Sequence, residues 1–337
     1  MPSPIVDTYT FQGQSLVIHS STPEVREGIV GLLAPRSADT APTGEKPLHC
    51  SFELAEEKDF DRVLPIDPSA SAENGINLLL GEESYPETRF LGRGQAWWRQ
   101  FHGLGRQYWN LEDSRYQAVL TPRAFGDHLP LRYLFAVIAL SGFLRAKGLI
   151  PVHAGCAVVG GKGLLLSAKS GGGKSTASLI LGQGGHPLLT DERIFLQAVG
   201  GQRYQAATLS DVVKVSRPTL ERFVPGLKAR EALCEHAGDL YFKLSLSSLP
   251  FQDRAPVSAL CCLHQTGQVP TTWAPLPKAA AVSGLFPVTM PLQQPEETRL
   301  VFEFLMDLLK AVPCYAVGVG TDPARAVAAF QELAGQL

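Results

Sequence analysis

Short apolar runs alternate with polar turns along the first third of the chain, which is the pattern of half-buried strands. Strands are predicted at SLVIHS, HCSFELA, GINLLLG and YQAVLTP, and one segment, EVREGIVGLL, has helical spacing. Residues 34–47 are rich in Pro, Ala and Thr and predict an exposed loop. Residues 1–126 are therefore predicted to form a smaller α+β N-terminal domain of unknown role. An aromatic cluster is interpreted as part of its core, and its members are Trp97, Trp98, Tyr108 and Trp109.

The pattern changes near Asp127, where a longer apolar segment with helical spacing begins. Pro130 suits the first turn of this helix, which we expect to end before Gly148. Its most apolar part, residues 131–146, is interrupted by two arginines and is short for a membrane span. The segment is therefore predicted to be a buried helix with no membrane role.

A strand, a loop, a helix and a second strand follow in close succession. CAVVGGKGLLLSA predicts two strands joined at Gly160 and Gly161, a hairpin signal. STASLILGQ has helical spacing and is stopped by Gly184 and Gly185. HPLLTDERIFL is interpreted as another buried strand, with Asp191 at its end. This order predicts a βαβ-like unit.

The remaining pattern also alternates between strands and helices. DVVKVS, YFKLSLSSL, VSALCCLHQ and CYAVGVG predict strands, and RPTLERFV predicts a short helix. PEETRLVFEFLMDLLKAV predicts a long helix, since Pro295 suits its first turn and Lys310 its negative end. TDPARAVAAFQEL predicts a capped final helix. Residues 127–337 are therefore predicted to form an α/β domain.

A glycine-rich loop (residues 168–175, AKSGGGKS) lies between the predicted strand and helix. Consecutive glycines let backbone N–H groups point inward around phosphate oxygens, and the helix adds the positive end of its dipole. Lys174 can reach the outer phosphates, and the Ser175 hydroxyl can hold Mg²⁺. Ala168 stands where the usual pattern has glycine, and it fits only if its φ is negative. The predicted nucleotide-binding residues of this loop are Ser170, Gly171, Gly172, Gly173, Lys174, Ser175 and Thr176.

Three further residues flank the predicted βαβ unit. His153 lies 21 residues before Lys174, and Asp191 lies 17 residues after it. Asp191 and its neighbour Glu192 end a strand, where a carboxylate can orient Mg²⁺ or accept a proton from an attacking hydroxyl. Strand geometry can bring all three residues towards the loop.

Composition and missing motifs narrow the class of nucleotide-binding protein. The chain has 337 residues, 45% of them hydrophobic, and a formal net charge of −2, which does not favour nucleic-acid binding. It lacks an LSGGQ-like signature, and its last asparagine is Asn110, which excludes the guanine-reading motif of switch GTPases after the loop. The first residues do not resemble a secretory signal, and the six cysteines show no CxxC pairing. Reduced cysteines in a cytoplasmic protein are expected.

Four segments around the loop resemble the catalytic domain of bacterial HPr kinase/phosphorylase and its kinase-like relatives. They are His-Ala, Gly-Gly-Lys-Gly-Leu-Leu-Leu, Ser-Gly-Gly-Gly-Lys-Ser-Thr and Thr-Asp-Glu. The resemblance covers roughly residues 127–337, and its specific motifs lie within 150–195. It implies a P-loop-containing fold like that of the phosphoenolpyruvate carboxykinase core. It also implies transfer of the γ-phosphoryl group of ATP, with Mg²⁺, to a Ser or Thr hydroxyl of a protein or peptide.

By this resemblance, each site residue takes a role. Lys174 and Ser175 match the residues for phosphate and Mg²⁺, and Asp191 matches the aspartate that accepts the hydroxyl proton. Glu192 stands where the family has a second, metal-associated aspartate, and His153 matches a histidine beside the transferred phosphate. Lys214 and Lys243 match nucleotide-binding lysines of the kinase-like relatives more loosely.

The family's long segment rich in Asn, Glu and Arg is not found, which argues against phosphorolysis and against HPr as the acceptor. GLIPVHA and GGGKST also resemble segments of the kinase-like proteins of peptide-maturation cassettes, including the SynChlorMet type. Two other functions stay open: a non-catalytic nucleotide-binding chaperone or regulator in a peptide-modification system, and a kinase of small-molecule hydroxyls. The oligomeric state is also open, with a homo-oligomer as one alternative.

Overall fold

The computed structural model describes residues 3–337 except 36–43, 45, 73–77, 81–82, 86, 128, 170, 225–226, 237, 268–269 and 286–294. These residues form a mixed α/β structure with several sheets. The chain divides into two compact units, Met1–Ala146 and Lys147–Leu337. The predicted loop over residues 34–47 lies mostly outside the described residues.

The first unit is built around an eight-stranded sheet with the strand order β1-β2-β3-β10-β9-β8-β7-β4. The strands of this unit are β1 (Ile5–Phe11), β2 (Gln14–Ser20), β3 (Leu48–Leu54), β4 (Ser71–Ala72), β5 (Leu78–Leu80), β6 (Glu83–Tyr85), β7 (Glu87–Arg93), β8 (Ala96–Phe101), β9 (Gly105–Asn110) and β10 (Arg115–Leu120). Of these, β5 and β6 form a separate two-stranded sheet. The helices of the unit are α1 (Pro23–Val30), α2 (Phe60–Val63), α3 (Pro122–Asp127), α4 (Leu129–Tyr133) and α5 (Ala139–Ala146), with a π-helical turn over Leu134–Ile138. Strand β3 runs parallel to both neighbours, β2 and β10. The α+β character expected from the sequence is therefore present.

The four clustered aromatic residues form two cross-strand pairs between β8 and β9, one stacked and one tilted. Trp97 lies opposite Trp109 with the ring centroids 6.4 Å apart, and Trp98 lies opposite Tyr108 at 4.9 Å. Both Trp97 and Trp98 are buried. Cross-strand aromatic pairs of this kind stabilise a sheet. The interpretation of the cluster as core is confirmed for Trp97 and Trp98, whereas Tyr108 and Trp109 are half-buried.

The long apolar helical segment belongs to the first unit. Tyr116 of β10 donates a hydrogen bond from its hydroxyl to the carbonyl of Phe135, at 2.5 Å, and the Phe101 and Phe135 rings meet edge to face. The sequence placed the domain boundary after residue 126, whereas the chain divides after Ala146. The cause is packing, because the helix covers the sheet that precedes it. The stretch Leu129–Ala146 is long and apolar enough to cross a membrane, yet 67% of it is buried inside the protein.

The second unit contains a nine-stranded sheet with the order β11-β15-β16-β20-β13-β12-β14, and β22 and β21 continue from β20. Its strands are β11 (Ile150–Val152), β12 (Gly155–Val159), β13 (Lys162–Ser167), β14 (Leu188–Thr190), β15 (Ile194–Ala198), β16 (Tyr204–Ala207), β17 (Val212–Ser216), β18 (Cys234–His236), β19 (Asp239–Lys243), β20 (Arg254–Gln265), β21 (Thr272–Pro275) and β22 (Cys314–Val319). Its helices are α6 (Lys174–Gln183), α7 (Arg217–Phe223), α8 (Lys278–Leu285), α9 (Pro295–Ala311) and α10 (Pro323–Gly335). A separate sheet has the order β17-β19-β18.

Local signals in the sequence account for the centre of this sheet. β12 and β13 are antiparallel, and Gly160 and Gly161 form their two-residue turn with φ of +59° and +78°. Two positive φ angles are the requirement of a type I′ hairpin turn. β12 also pairs antiparallel with β14, so β13 and β14 run in the same direction. The predicted βαβ unit is thus β13, α6 and β14, with β12 between the two strands.

Helices cover both faces of the sheet, as an α/β domain requires. On one face, α6 and α10 contribute Leu179 and Phe330 to an apolar core. On the other face, α8 and α9 contribute Leu285 and Leu305 to a second core. Burial of one such leucine contributes about 1.5–3 kcal/mol. The sheet is therefore held rigidly from both sides.

Two predicted elements differ in detail from the structure. HPLLTDERIFL contains two strands, β14 and β15, because the chain turns at Asp191 and Glu192. YFKLSLSSL is a strand only as far as Lys243, and a 3₁₀ turn over Leu244–Leu246 follows. The final helix is capped as expected, since the Asp322 side chain accepts a hydrogen bond from the backbone N–H of Arg325.

Candidate functional site

The glycine-rich loop leaves β13 and enters α6 with backbone angles that suit glycine. Gly171 and Gly173 have φ of +74° and +93°, which side chains rarely adopt. A Cβ on Gly172 would lie 2.9 Å from the Cβ of Ala168 and 3.0 Å from the carbonyl oxygen of Lys169. All three glycines therefore carry out a backbone role that few other residues can fill. Ser170, a predicted member of the loop, lies outside the described residues.

Ala168 fits at the start of this loop. Among the described residues other than glycine, positive φ occurs only at Gln12, Ser114 and Gln202. Ala168 thus meets the condition set by the sequence, and its side chain is buried in the apolar core beside α6. Its methyl group is part of the packing under the loop.

Lys174 begins α6 and points towards the turn after β14. Its side chain is buried, and its Nζ donates a hydrogen bond to the backbone carbonyl of Asp191. The N-cap, Gly173, supplies no side-chain acceptor, so the first N–H groups of the helix stay available for an anion. Lys174 therefore connects the glycine-rich loop to the turn at Asp191, which lies 17 residues later in the chain.

The carboxyl group of Asp191 is buried, and no described residue donates a hydrogen bond to it. Its side chain is 1% exposed, and neither carboxylate oxygen accepts a hydrogen bond within the part of the chain that the structure describes. Burial raises the pKa of Asp191, while the charge of Lys174 and the nearby hydroxyl of Ser175 act in the opposite direction. A buried carboxyl group with a raised pKa, to which no described residue donates a hydrogen bond, is typical of a functional site.

His153 and Glu192 form a pair beside Asp191. His153 Nδ1 lies 3.2 Å from Glu192 Oε2, and both side chains remain partly exposed. Burial raises the pKa of Glu192, but the hydrogen bond from His153 and the charges of Lys174, His153 and Lys214 outweigh it, and the net pKa is lowered. Glu192 is therefore held as the carboxylate, and its predicted role as a metal ligand stays a prediction.

The backbone at Gly155 packs closely against α6 and the turn at Asp191, which brings the His153–Glu192 pair near the glycine-rich loop. Gly155, at the start of β12, has no room for a side chain, because a Cβ there would lie 2.7 Å from Ser178 Oγ and 3.4 Å from the Cα of Asp191. β12 therefore packs directly between α6 and the Asp191 turn. His153 stands two residues before this contact, which explains how a distant residue reaches the site.

The two predicted lysines lie on the small sheet formed by β17, β18 and β19. Lys214 Nζ is 3.2 Å from Asp239 Oδ2, and its charge helps to lower the pKa of Glu192. Lys243 Nζ is 3.7 Å from Asp211 Oδ1, and its partner carboxyl is fully buried. Lys214 is thus brought within electrostatic reach of the site, whereas Lys243 is paired with Asp211, the residue just before β17.

Two residues near the site escaped the sequence analysis. Arg193 follows Glu192 and is buried, with Nε and Nη1 lacking hydrogen-bond partners in the described structure. Gln265 ends β20 and lies against Gly173. Neither belongs to a recognisable motif, and only the adjacency of Arg193 to Thr-Asp-Glu was a signal in the sequence.

The described residues do not form a metal site built from protein side chains alone. Among the described residues, no group of three or more His, Cys, Asp or Glu side chains could hold a metal ion. All six cysteines are free thiols. A cation at this site would need oxygen ligands from a bound nucleotide in addition to Ser175 and the carboxylates, as is usual for Mg²⁺.

Comparisons with known proteins found little. No family model matches the chain, and no curated protein matches it. Among solved structures, the Hpr(Ser) kinase/phosphatase from Coxiella burnetii matches with a TM-score of 0.31 and 14% identity, over 55% of this chain and 95% of that one. At this similarity the superposition transfers no role to any residue. The interpretation of the site therefore rests on its own geometry.

Proposed function

We propose that this protein is a kinase that transfers the γ-phosphoryl group of ATP, with Mg²⁺, to a Ser or Thr hydroxyl of a protein or peptide. One observation carries the proposal: the buried carboxyl of Asp191, whose oxygens accept no hydrogen bond within the described residues, lies beside the lysine that begins the helix after a glycine-rich loop. The loop supplies phosphate binding, and the carboxyl supplies an acceptor for a proton. Neither group alone would favour transfer over binding.

Phosphate binding is assigned to the loop and the start of α6. The backbone N–H groups from Gly173 to Thr176 surround the position of the phosphates, and the Lys174 ammonium neutralises their outer oxygens. To do so, Nζ exchanges its bond to the Asp191 carbonyl for phosphate oxygens. Its present contact keeps the ammonium paired within the buried site.

The residues present fit a magnesium ion. Two buried Asp191 oxygens without hydrogen bonds and the adjacent Ser175 hydroxyl are hard oxygen ligands of the kind that Mg²⁺ prefers. When bound, the ion would neutralise charge on the phosphate oxygens. Glu192 is a further ligand in this proposal, through the oxygen that is not engaged by His153.

The acceptor hydroxyl is assigned to the side of Asp191 and His153. Asp191 accepts the hydroxyl proton as the oxygen forms its bond to the γ-phosphorus, and the bond from phosphorus to the leaving oxygen of ADP breaks. His153, held by Glu192 at Nδ1, donates from Nε2 to an oxygen of the transferred group when its ring is doubly protonated. Lys214 adds positive charge at the same place.

One observation favours a second candidate, a nucleotide-binding regulator without catalysis. Both charged groups that face Asp191 already have partners: Lys174 bonds a carbonyl, and Glu192 pairs with His153. A site that stays in this arrangement with nucleotide bound would not transfer phosphate. In a peptide-modification system such a protein would act as a chaperone or regulator.

Labelled ATP distinguishes the candidates. The protein is incubated with γ-labelled ATP and Mg²⁺ in the presence of Ser- or Thr-containing peptides and of the same peptides with alanine at those positions. We expect label to move to the hydroxyl-bearing peptides only. ATP binding without labelled peptide would favour the regulator, and label on small alcohols alone would favour a small-molecule kinase.

Neutralising Glu192 is expected to lower the pKa of Asp191. In the native protein the neighbouring Glu192 charge adds to burial in raising that pKa. Removing one negative charge by Glu192→Gln favours ionisation of Asp191, so the carboxyl should titrate at lower pH. The measurement is a ¹³C NMR titration of the Asp191 carboxyl in metal-free buffer.

The signal is assigned with Asp191→Asn, and Glu303→Gln on the exposed face of α9 is the matched control, which should leave the titration unchanged. A titration that stays in place or moves to higher pH in Glu192→Gln would contradict the described coupling. The raised pKa of Asp191 also stabilises the folded protein at low pH, where the carboxyl is protonated. This contribution to the free energy of unfolding is lost as the pH rises through the pKa that Asp191 has in the folded protein.

A further inference from the structure

The two ends of a bound nucleotide must leave the glycine-rich loop on opposite sides. β14, which ends at Thr190 just before Asp191, lies on one side of β13, and β20 and β22 lie on the other. All four strands run in the same direction, so their carboxyl ends meet at one edge of the sheet. Ligands of open α/β sheets bind outside this edge.

The requirements of phosphoryl transfer set the orientation of the bound nucleotide along the edge of the sheet. The γ-phosphorus must face Asp191 for an attacking hydroxyl to reach it in line. Since a triphosphate is an extended chain, the nucleoside then lies towards the carboxyl ends of β20 and β22. This step rests on the proposed function, which sets Asp191 at the acceptor end.

Gln265 is the side chain that stands at this place. It ends β20, its side chain is exposed, and its Cγ and Nε2 lie 3.3 and 3.7 Å from where a Cβ on Gly173 would be. Its amide makes no hydrogen bond to the described residues. A polar side chain thus lies next to the last glycine of the loop, and within the described structure its amide is not engaged by another residue.

The backbone beneath Gln265 is fixed. The N–H and hydroxyl of Thr266 both donate to the carbonyl of Val319, each at 3.3 Å, which ties the end of β20 to the end of β22. Gly318 has no room for a side chain, since a Cβ there would lie 2.6 Å from Cγ2 of Thr266. Gln265 is therefore presented from a rigid edge and not from a mobile tip.

We propose that Gln265 binds the nucleoside part of the nucleotide. A glutamine amide offers an acceptor and two donors, which match ribose hydroxyls and the edge of a base. It carries no charge, so it adds little to binding of the phosphates, which the loop and Lys174 hold. Its loss should affect ligands that contain a nucleoside and spare those that do not.

The test compares two ligands on one variant. Dissociation constants of Gln265→Ala are measured by calorimetry for ATP with Mg²⁺ and for tripolyphosphate with Mg²⁺. Loss of one or two hydrogen bonds should weaken ATP about three- to tenfold and leave tripolyphosphate unchanged. Gln331→Ala, on the exposed face of α10, is the matched control and should change neither.

Three results would overturn the assignment. Equal weakening of both ligands would mean that Gln265 supports the loop around Gly173, and no change with either would mean that it does not touch the nucleotide. A native protein that binds neither ligand would overturn both this assignment and the proposed function. Selective loss of ATP binding in a protein that never labels a peptide would uphold Gln265 and overturn only the kinase.

Discussion

Replacement of Lys174 by alanine is expected to slow phosphoryl transfer by two to three orders of magnitude, about 10²- to 10³-fold, in a protein that still folds. The ammonium is the cation at the start of α6, and it is buried, where its attraction for phosphate is screened little by water. Loss of a preorganised group of this kind lowers turnover by about 10²- to 10³-fold. Single-turnover rates with γ-labelled ATP and the best peptide acceptor measure the effect.

The control for this experiment is Lys310→Ala. Lys310 lies on the exposed face of α9 and pairs with Asp307, so its loss should leave the rate unchanged. Circular dichroism of both variants shows whether the fold persists, since removal of Lys174 also frees the Asp191 carbonyl. An undiminished rate in a folded Lys174→Ala protein would refute the proposed mechanism.

The second large effect is expected for Asp191→Asn. The amide keeps the size of the carboxyl group but accepts no proton, so ATP should still bind while transfer falls by about 10²- to 10⁴-fold. ATP affinity by calorimetry and the single-turnover rate are measured on the same preparation. Asp307→Asn on α9 provides the matched control at an exposed aspartate.

The two readouts separate two roles for Asp191. If Asp191→Asn loses phosphoryl transfer but keeps its affinity for ATP, Asp191 is a proton acceptor. Equal loss of affinity and transfer would make Asp191 chiefly a metal ligand, and the affinity for ATP should then depend on Mg²⁺ in the native protein but not in the variant. Native rates in Asp191→Asn would exclude the carboxyl from the reaction.

Much of the local structure of the second unit followed from the sequence. The Gly160-Gly161 turn, the loop after β13 and the limits of α6 are set by glycine conformation and helical spacing, which act over a few residues. The boundary between the units did not follow, because burial of the helix around Phe135 depends on a sheet formed far earlier in the chain.

The candidate site divides in the same way. The sequence by itself determined the glycine-rich loop, Lys174 and the presence of a carboxylate after a strand, because backbone conformation and residue type are encoded locally. Only the tertiary structure decided that Lys174 reaches the Asp191 carbonyl, that Glu192 pairs with His153 and that Gln265 stands over Gly173. These contacts depend on the order of strands in the sheet, which is set by packing between residues far apart in the chain.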